Sequence, residues 1–268
     1  MNIKYTVKDV YTVKDVACSI EAFAPLSRQE KWDNCGLQTG SFSAPVTSVL
    51  LGLDCTPELV DEAVAVGADL IVTHHPLIFG GLKRVTPDDP VGLAIIKAVR
   101  SGISIYSAHT SADKVIGGVS GAMAQRLSLR NVRVLDPEQD GQGLGAVGDL
   151  PSAVTAAEAV EMVKRAFNLK SVRTSRPIEG MISRVALCGG SGSSLIPQAI
   201  DSGAQLYLCG DISYHHFFTS GDFMLMDVGH YESEIDIVNI LFSLIKKNFP
   251  TFAVRITENI YSNPIFYF

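Results

Sequence analysis

The sequence contains two strand–helix–strand patterns that lie 136 residues apart. The first has an apolar run at Val49–Leu53, a helix start at Thr56-Pro57, a stop at Gly67 and a second apolar run at Asp69–Thr73. The same order recurs as a strand at Val185–Cys188, a helix at Leu195–Ser202, a stop at Gly203 and a strand at Gln205–Cys209. Two short apolar strands joined by a helix pair in parallel through a right-handed crossover. This pattern restricts the chain to an α/β architecture.

The fold class predicted from these patterns is α/β, with two related α/β domains whose mixed, partly parallel sheets are flanked by helices. We expect the first domain to comprise residues 1–128 plus 222–268, and the second, its pseudo-repeat, residues 129–221. The segment Arg130–Leu150 is rich in Gly and Asp and predicts a linker or hairpin. The remaining predicted elements are helices at Val91–Arg100, Ser152–Phe167 and Ser233–Lys247, and strands at Ile103–Ser107, Phe223–Val228 and Phe252–Ile256.

A tandem hexapeptide stands near the N-terminus, because Tyr5–Val10 and Tyr11–Val16 both read YTVKDV. Two copies are too few for a repeat architecture. The second copy runs into a segment with helical apolar spacing, so residues 1–10 are expected to be a surplus extension.

Net charge, the length of apolar runs and cysteine spacing argue against several classes of protein. The net charge is -6, so the chain lacks the global basic field that attracts nucleic acid or anionic lipid. Its apolar runs are shorter than the eighteen or so residues of a membrane span, and its N-terminus does not resemble a secretory signal. We therefore expect a soluble, cytoplasmic protein. The five cysteines include no CxxC pair and are expected to be buried free thiols.

All six histidines follow predicted strands. They are His74, His75, His109, His215, His216 and His230. Two carry a carboxylate four positions later, namely Asp113 after His109 and Glu234 after His230, which is one helical turn. Ligands bind at the carboxyl ends of strands in open α/β sheets, and imidazole with carboxylate is the usual ligand set for zinc, iron or manganese. The placement of these residues predicts a metal site.

Three features leave alternatives open. The turn at 189–194 (GGSGSS) has backbone N–H groups that could bind a phosphate, but a plain tight turn explains it equally well. Lys83 and Arg84 suit either an anionic substrate or a solvated loop. His215 and His216 sit in an aromatic segment that could simply begin a helix.

Five ordered motifs resemble a known family, the dinuclear-metal proteins related to NGG-interacting factor three, often labelled GTP cyclohydrolase I type 2 homologs. The motifs are WDNCGL at 32–37, DLIVTHHP at 69–76, SAHTSAD at 107–113 with Gly117-Gly118, GDISYH at 210–215 and VGHYESE at 228–234. Together they cover nearly the whole chain, from about Val13 to Ile256. Two departures are Ser111-Ala112, where Asn-Leu is common, and His216, where an acidic residue is common.

The resemblance implies two divalent metal ions, of zinc, iron or manganese, as cofactors. It implies that the ligands are His74, His75, Asp113, His230 and Glu234, with most of them in the first domain and His109 nearby. It also implies a toroidal homohexamer, in the compact form without an inserted domain.

The function that we expect is a metal-dependent hydrolase whose partner is a small-molecule substrate such as a nucleotide. His109 and His215 are the candidate catalytic proton carriers, because histidine titrates near neutrality. The alternative is a metal-handling or adaptor protein whose metals are structural. The acidic balance argues against nucleic acid as a partner.

Overall fold

The structure is a computed structural model that describes residues 10–258 and 263–266. The chain divides into two compact units, a first unit within Met1–Ser111 and Val238–Phe268 and a second unit of residues 112–237. Residues 1–9 of the predicted extension lie outside the described residues. The domain boundaries predicted at 128 and 221 remain a prediction.

The strands and helices are named here in chain order. The strands are β1 (Gly36–Thr39), β2 (Ser48–Gly52), β3 (Leu70–Thr73), β4 (Ser104–Ser107), β5 (Arg130–Pro137), β6 (Gly143–Val154), β7 (Arg173–Thr174), β8 (Ile182–Leu187), β9 (Leu206–Cys209), β10 (Met224–Asp227) and β11 (Ala253–Ile256). The helices are α1 (Val13–Phe23), α2 (Pro57–Val66), α3 (Pro90–Arg100), α4 (Thr110–Asp113), α5 (Val119–Arg126), α6 (Ala156–Ala166), α7 (Ile196–Asp201), α8 (His230–Glu234) and α9 (Asp236–Asn248).

Each unit contains one mixed sheet. The sheet of the first unit has the order β1-β4-β3-β2-β11 and is parallel except for β1. The sheet of the second unit has the order β5-β6-β8-β9-β10-β7, with β8, β9 and β10 parallel and the others antiparallel. The predicted α/β class with mixed, partly parallel sheets and flanking helices is confirmed.

The two strand–helix–strand patterns that lie 136 residues apart also share the pairing register of their strands. Val49 pairs with Leu70 in the first unit, and Val185 pairs with Leu206 in the second, so both partners shift by the same amount. All residues of β2, β3 and β9 are buried, as expected for central parallel strands. The crossover helix α2 begins and ends as predicted, because the Thr56 side chain accepts a hydrogen bond from the Leu59 N–H and Gly67 ends the helix in the left-handed region.

Three elements differ in extent from the prediction. The segment at 130–150 is a hairpin of β5 and β6, and β6 continues to Val154, so α6 begins only after the Thr155 capping box. The predicted last helix is two helices, α8 and α9, and it begins earlier, at His230. Strands β1 and β7 were not predicted, because β1 (GLQT) has only one apolar residue and the two residues of β7 are too few for a periodic signal.

The expectation that the thiols are buried is wrong for Cys18. All five cysteines are free, and only Cys188 and Cys209 are buried, while Cys35 and Cys55 are partly exposed. Cys18 is exposed because α1 turns its other face, with Val16 and Ile20, towards the core.

No helix in the described part of the chain is long and apolar enough to cross a membrane.

Replacing Gly92 by alanine tests the close contact between α3 and the backbone of Thr86. A Cβ at Gly92 would lie 2.3 Å from the Thr86 carbonyl oxygen, so alanine must displace backbone. Helix propensity alone would favour alanine by about 1 kcal/mol, whereas overpacking costs about 1–3 kcal/mol. We expect Gly92→Ala to lower the free energy of unfolding in urea. The control Gly80→Ala, which meets no atom within 4 Å, should change it by less than about 0.5 kcal/mol. A more stable Gly92→Ala protein would contradict the packing described.

Alkylation of the folded protein at neutral pH should label Cys18 first. Burial raises the pKa of Cys35 to about 11 and of Cys55 and Cys209 to about 12, and it raises the pKa of Cys188 further. Because the thiolate is the reactive form, these four thiols should react slowly. Mass spectrometry of the labelled peptides measures the order, and unfolded protein labelled at all five sites is the control. Labelling of Cys188 or Cys209 as fast as Cys18 would contradict the structure.

Candidate metal-binding residues

Three imidazoles form a cluster in the first unit. His74 and His75 follow β3 and His109 follows β4, and the carboxyl ends of these neighbouring parallel strands meet at one edge of the sheet. Each residue offers one ring nitrogen within 4.8 Å of the others. The ring centroids are 5.1 to 5.4 Å apart. The structure therefore brings these three histidines together in the first unit.

The Nδ1 atom of each of these rings faces an oxygen acceptor. His74 Nδ1 is 2.8 Å from the Ala108 carbonyl oxygen, and His75 Nδ1 is 2.7 Å from Asp54 Oδ1. His109 Nδ1 is 2.9 Å from Asp33 Oδ1. A carbonyl or an ionised carboxylate only accepts, so Nδ1 carries a proton in each of these rings, and in the neutral imidazole Nε2 is then the nitrogen with the lone pair. This is the tautomer that binds a metal through Nε2.

Asp33 is the centre of a hydrogen-bond network around His109. Its carboxylate accepts hydrogen bonds from the ring of His109, from the backbone and hydroxyl of Thr110, and from the Cys35 thiol. Burial by itself raises the pKa of Asp33, but these hydrogen bonds outweigh burial and hold the pKa well below its ordinary value. Asp33 is therefore a carboxylate at neutral pH, which keeps the proton on Nδ1 of His109.

The second unit has its own group of ligand-type side chains. His230 and Glu234 lie one turn apart in α8, with His230 Nε2 3.0 Å from Glu234 Oε2. His230 Nδ1 also lies 2.7 Å from Asp211 Oδ2, so a carboxylate oxygen faces each nitrogen of this ring. Asp113 offers a carboxylate oxygen within 4.8 Å of one from Glu234.

The glycine-rich turn at 189–192 packs against Glu234. A Cβ on Gly190 would lie 2.1 Å from Glu234 Oε1, and Gly190 has φ +60°. The Gly190 N–H donates to the Ser233 hydroxyl at 2.9 Å, so the turn is bonded to α8 itself. Of the two alternatives, the tight turn agrees with this contact, since it lets the backbone approach a buried carboxylate.

The remaining candidates lie on the surface. His215 and His216 lie in a short 3₁₀ turn, Tyr214–Phe217, and both are exposed. The His215 ring contacts Tyr214 edge-on, and His216 Nδ1 is 3.0 Å from the Ser213 hydroxyl. Neither histidine belongs to a group of three ligand-type side chains among the described residues. Lys83 and Arg84 are exposed in the loop that precedes α3.

Sequence reasoning did not predict that the carboxylates of Asp33, Asp54 and Asp211 contact the imidazole rings. Asp54 and Asp211 follow β2 and β9 closely, and Asp33 lies inside the WDNCGL motif. The positions of Asp54 and Asp211 after strands were a usable signal, but the partner that each of the three carboxylates contacts depends on packing between segments 19 to 76 residues apart.

The chain resembles proteins of known family along most of its length. It is 34% identical over 226 residues to a Clostridium perfringens protein named GTP cyclohydrolase 1 type 2 homolog, which covers 83% of this chain and 86% of that protein. It is 33% identical over 202 residues to the NIF3 homolog of Schizosaccharomyces pombe, with 69% and 70% covered.

Solved structures share the fold. The Bacillus cereus protein related to NIF3 has a TM-score of 0.88 at 23% identity, over 97% of this chain and 100% of that chain. The Staphylococcus aureus protein SA1388 has a TM-score of 0.88 at 25% identity, over 96% and 99%. Residues 11–264 match the family described as Duf34/NIF3 (NGG1p interacting factor 3). The chain therefore belongs to the Duf34/NIF3 family.

Proposed function

We propose that this protein binds two divalent metal ions and acts as a metal-dependent hydrolase on a nucleotide or a related small molecule. The proposed ligands are His74, His75, Asp113, His230 and Glu234. The observation that carries the proposal is the orientation of the imidazoles. Each of the proposed ligands His74, His75 and His230 has an oxygen acceptor at Nδ1, so Nε2 is the nitrogen proposed to bind the metal. His230 Nε2 lies 3.0 Å from an oxygen of Glu234, which is another proposed ligand.

The chemistry of the donor set fits zinc, iron or manganese. The groups contain imidazole nitrogens and carboxylate oxygens, which these ions prefer. The Cys35 thiol, which accepts from the His109 backbone N–H at 3.3 Å, donates to Asp33, and burial raises the pKa of Cys35 to about 11. A protonated thiol is a poor ligand, so a soft thiolate site for copper(I) is not supported.

The proposed reaction assigns separate tasks to the side chains. When bound, two divalent ions supply Lewis-acid polarisation of the substrate and a nucleophile at neutral pH. His109 keeps its Nδ1 proton on the Asp33 side and can accept or return a proton at Nε2. His215, which is exposed, is the second candidate for proton transfer. The nucleotide class of substrate is taken from the name of the curated relatives, GTP cyclohydrolase 1 type 2 homolog.

A metal-handling or adaptor protein is the second candidate function. It is favoured by the burial of the proposed ligands, since His74 is fully buried and Glu234 is 3% exposed. Buried ligands can close the coordination sphere, as in structural metal sites. In either case we propose a homohexamer in the cytoplasm, and light scattering should return six times the 28.8 kDa chain mass.

Metal analysis combined with an activity assay tests the proposal. Protein purified without chelator should contain about two divalent ions per chain by elemental analysis, with anomalous scattering at the metal edges of its crystals. Such protein should hydrolyse GTP or a phosphoester. Asp113→Ala should lose metal and lower the rate by at least ~100-fold, since even residues that only support a ligand cost 10–100-fold.

The matched control is His216→Ala, which removes an exposed histidine outside the ligand groups and should leave metal content and rate unchanged. Metal without turnover on any of these substrates would favour the second candidate function. Protein that binds no divalent metal would contradict both.

Two glycine substitutions separate backbone strain from damage to the ligand. Gly190→Ala and Gly203→Ala both place alanine at positive φ, +60° and +76°, which costs about 1–2 kcal/mol. Only at Gly190 does the new methyl group meet Glu234, whereas at Gly203 the nearest atom is 3.8 Å away. We expect both variants to lose stability in urea and only Gly190→Ala to lose metal. Equal metal content in the two would contradict the proposal that the backbone of Gly190 leaves room for a ligating Glu234.

A further inference from the structure

Two large aromatic side chains of the first unit face solvent side by side. Trp32 is 59% exposed and Phe79 is 56% exposed, and their ring centroids are 5.7 Å apart with an angle of 33° between the planes. Trp32 is the only tryptophan of the chain. Aromatic rings of this size normally bury most of their area, so an exposed adjacent pair is a feature that needs an explanation.

Hydrogen bonds join the two chain segments that carry these rings. Asn34 donates from its side chain to the Ile78 carbonyl at 2.7 Å, and the Ile78 N–H donates to Gln38 Oε1 at 3.1 Å. Gln38 in turn donates to the Asn34 carbonyl at 2.7 Å. The segment that follows Trp32 is therefore bonded to Ile78, the residue before Phe79. These bonds keep the two segments that carry the rings beside each other.

The aromatic pair is continuous with the imidazole cluster. The His109 ring is 6.0 Å from the Trp32 ring and 5.7 Å from the Phe79 ring, edge-on to both. His109 is itself held by Asp33, the residue after Trp32, and lies within 4.8 Å of the ligand atoms of His74 and His75. A molecule lying on Trp32 and Phe79 would thus be adjacent to the residues to which we assign the chemistry.

We propose that Trp32 and Phe79 form a stacking platform for the planar heteroaromatic ring of a ligand. This inference rests on the proposed function and adds a position and a recognition chemistry for the ligand. Stacking suits the pair because both rings present a π-face, and base–aromatic stacking tolerates many ring types. The platform comprises two side chains of roughly 150–250 Å² each, well below the ~800 Å² per partner of a stable protein interface. A small ring fits this area better than a second copy of the chain.

Fluorescence of the single tryptophan tests the platform directly. Guanosine 5′-monophosphate is titrated into the purified protein, with ribose 5-phosphate as the probe that lacks the ring, and inner-filter absorption is corrected. We expect saturable quenching of Trp32 by the nucleotide and none by the sugar phosphate. Phe79→Ala should weaken the affinity by about five-fold or more, the lower end of measured base–aromatic stacking.

Phe42→Ala is the matched control, because Phe42 is another exposed phenylalanine of the first unit, at 46%. It should change the affinity by less than about two-fold. Phe79→Leu keeps the apolar bulk and removes the π-face, so it should weaken binding even if the alanine variant folds poorly. Absence of ring-dependent quenching in the wild type, or equal affinities for the Phe79 and Phe42 variants, would overturn the proposal. So would emission from Trp32 that shifts with protein concentration, which would indicate a second copy.

The same samples distinguish failure of the stacking platform from failure of the proposed function. Ring-dependent quenching in protein that shows no metal and no turnover would support the platform and contradict the hydrolase. Metal binding and turnover without quenching would contradict the platform and support the hydrolase.

Discussion

Parallel pairing of short buried strands is the constraint on which the rest of this structure depends. In each unit the crossover connection places the carboxyl ends of neighbouring strands at the same edge of the sheet. His74, His75 and His109 meet because they follow β3 and β4 directly, and Asp211 and His230 meet because they follow β9 and β10. If either sheet were antiparallel at its centre, the residues that follow neighbouring strands would lie at opposite edges of the sheet.

The two units contain the same kind of side-chain-to-backbone hydrogen bond at equivalent positions. The Asp69 side chain accepts from the backbone N–H groups of Thr47 and Ser48, and Gln205 accepts in the same way from the residues 136 positions after them. Where the units differ, they differ in chemistry. Asp54 of the first unit orients His75, whereas its equivalent Gly190 lets the backbone approach Glu234. One pattern of pairing therefore supports an imidazole-rich group in one unit and a carboxylate-containing group in the other.

Orientation of the imidazoles is the second determinant of the site. A histidine ring binds a metal through one nitrogen only if the other nitrogen holds the proton. Four separate oxygen acceptors meet this requirement, one backbone carbonyl and three carboxylates. Asp33 has a further consequence, since it ties the WDNCGL segment to His109 and so sets the neighbouring Trp32 beside the cluster. The polar network of the first unit thus positions both the imidazole rings and the aromatic pair.

Much of this organisation was predictable from local sequence. The apolar runs, the Thr56-Pro57 helix start and the glycine stops determine the strand–helix–strand units, because they act through neighbouring residues and through burial of short strands. The sequence also predicted that four histidines follow strands, namely His74, His75, His109 and His230. The extent of α6 and the split between α8 and α9 were not, since capping at Thr155 and the end of β6 compete over the same few residues.

Only the tertiary structure decided which oxygen each imidazole meets, that Cys18 faces solvent, and that Trp32 and Phe79 lie side by side. The physical reason is distance along the chain. Periodicity and turn chemistry report on neighbours within a few residues, whereas the Asp33–His109 and Trp32–Phe79 contacts join segments separated by 76 and 47 positions. Such contacts exist only once the sheet has fixed where each loop begins and ends.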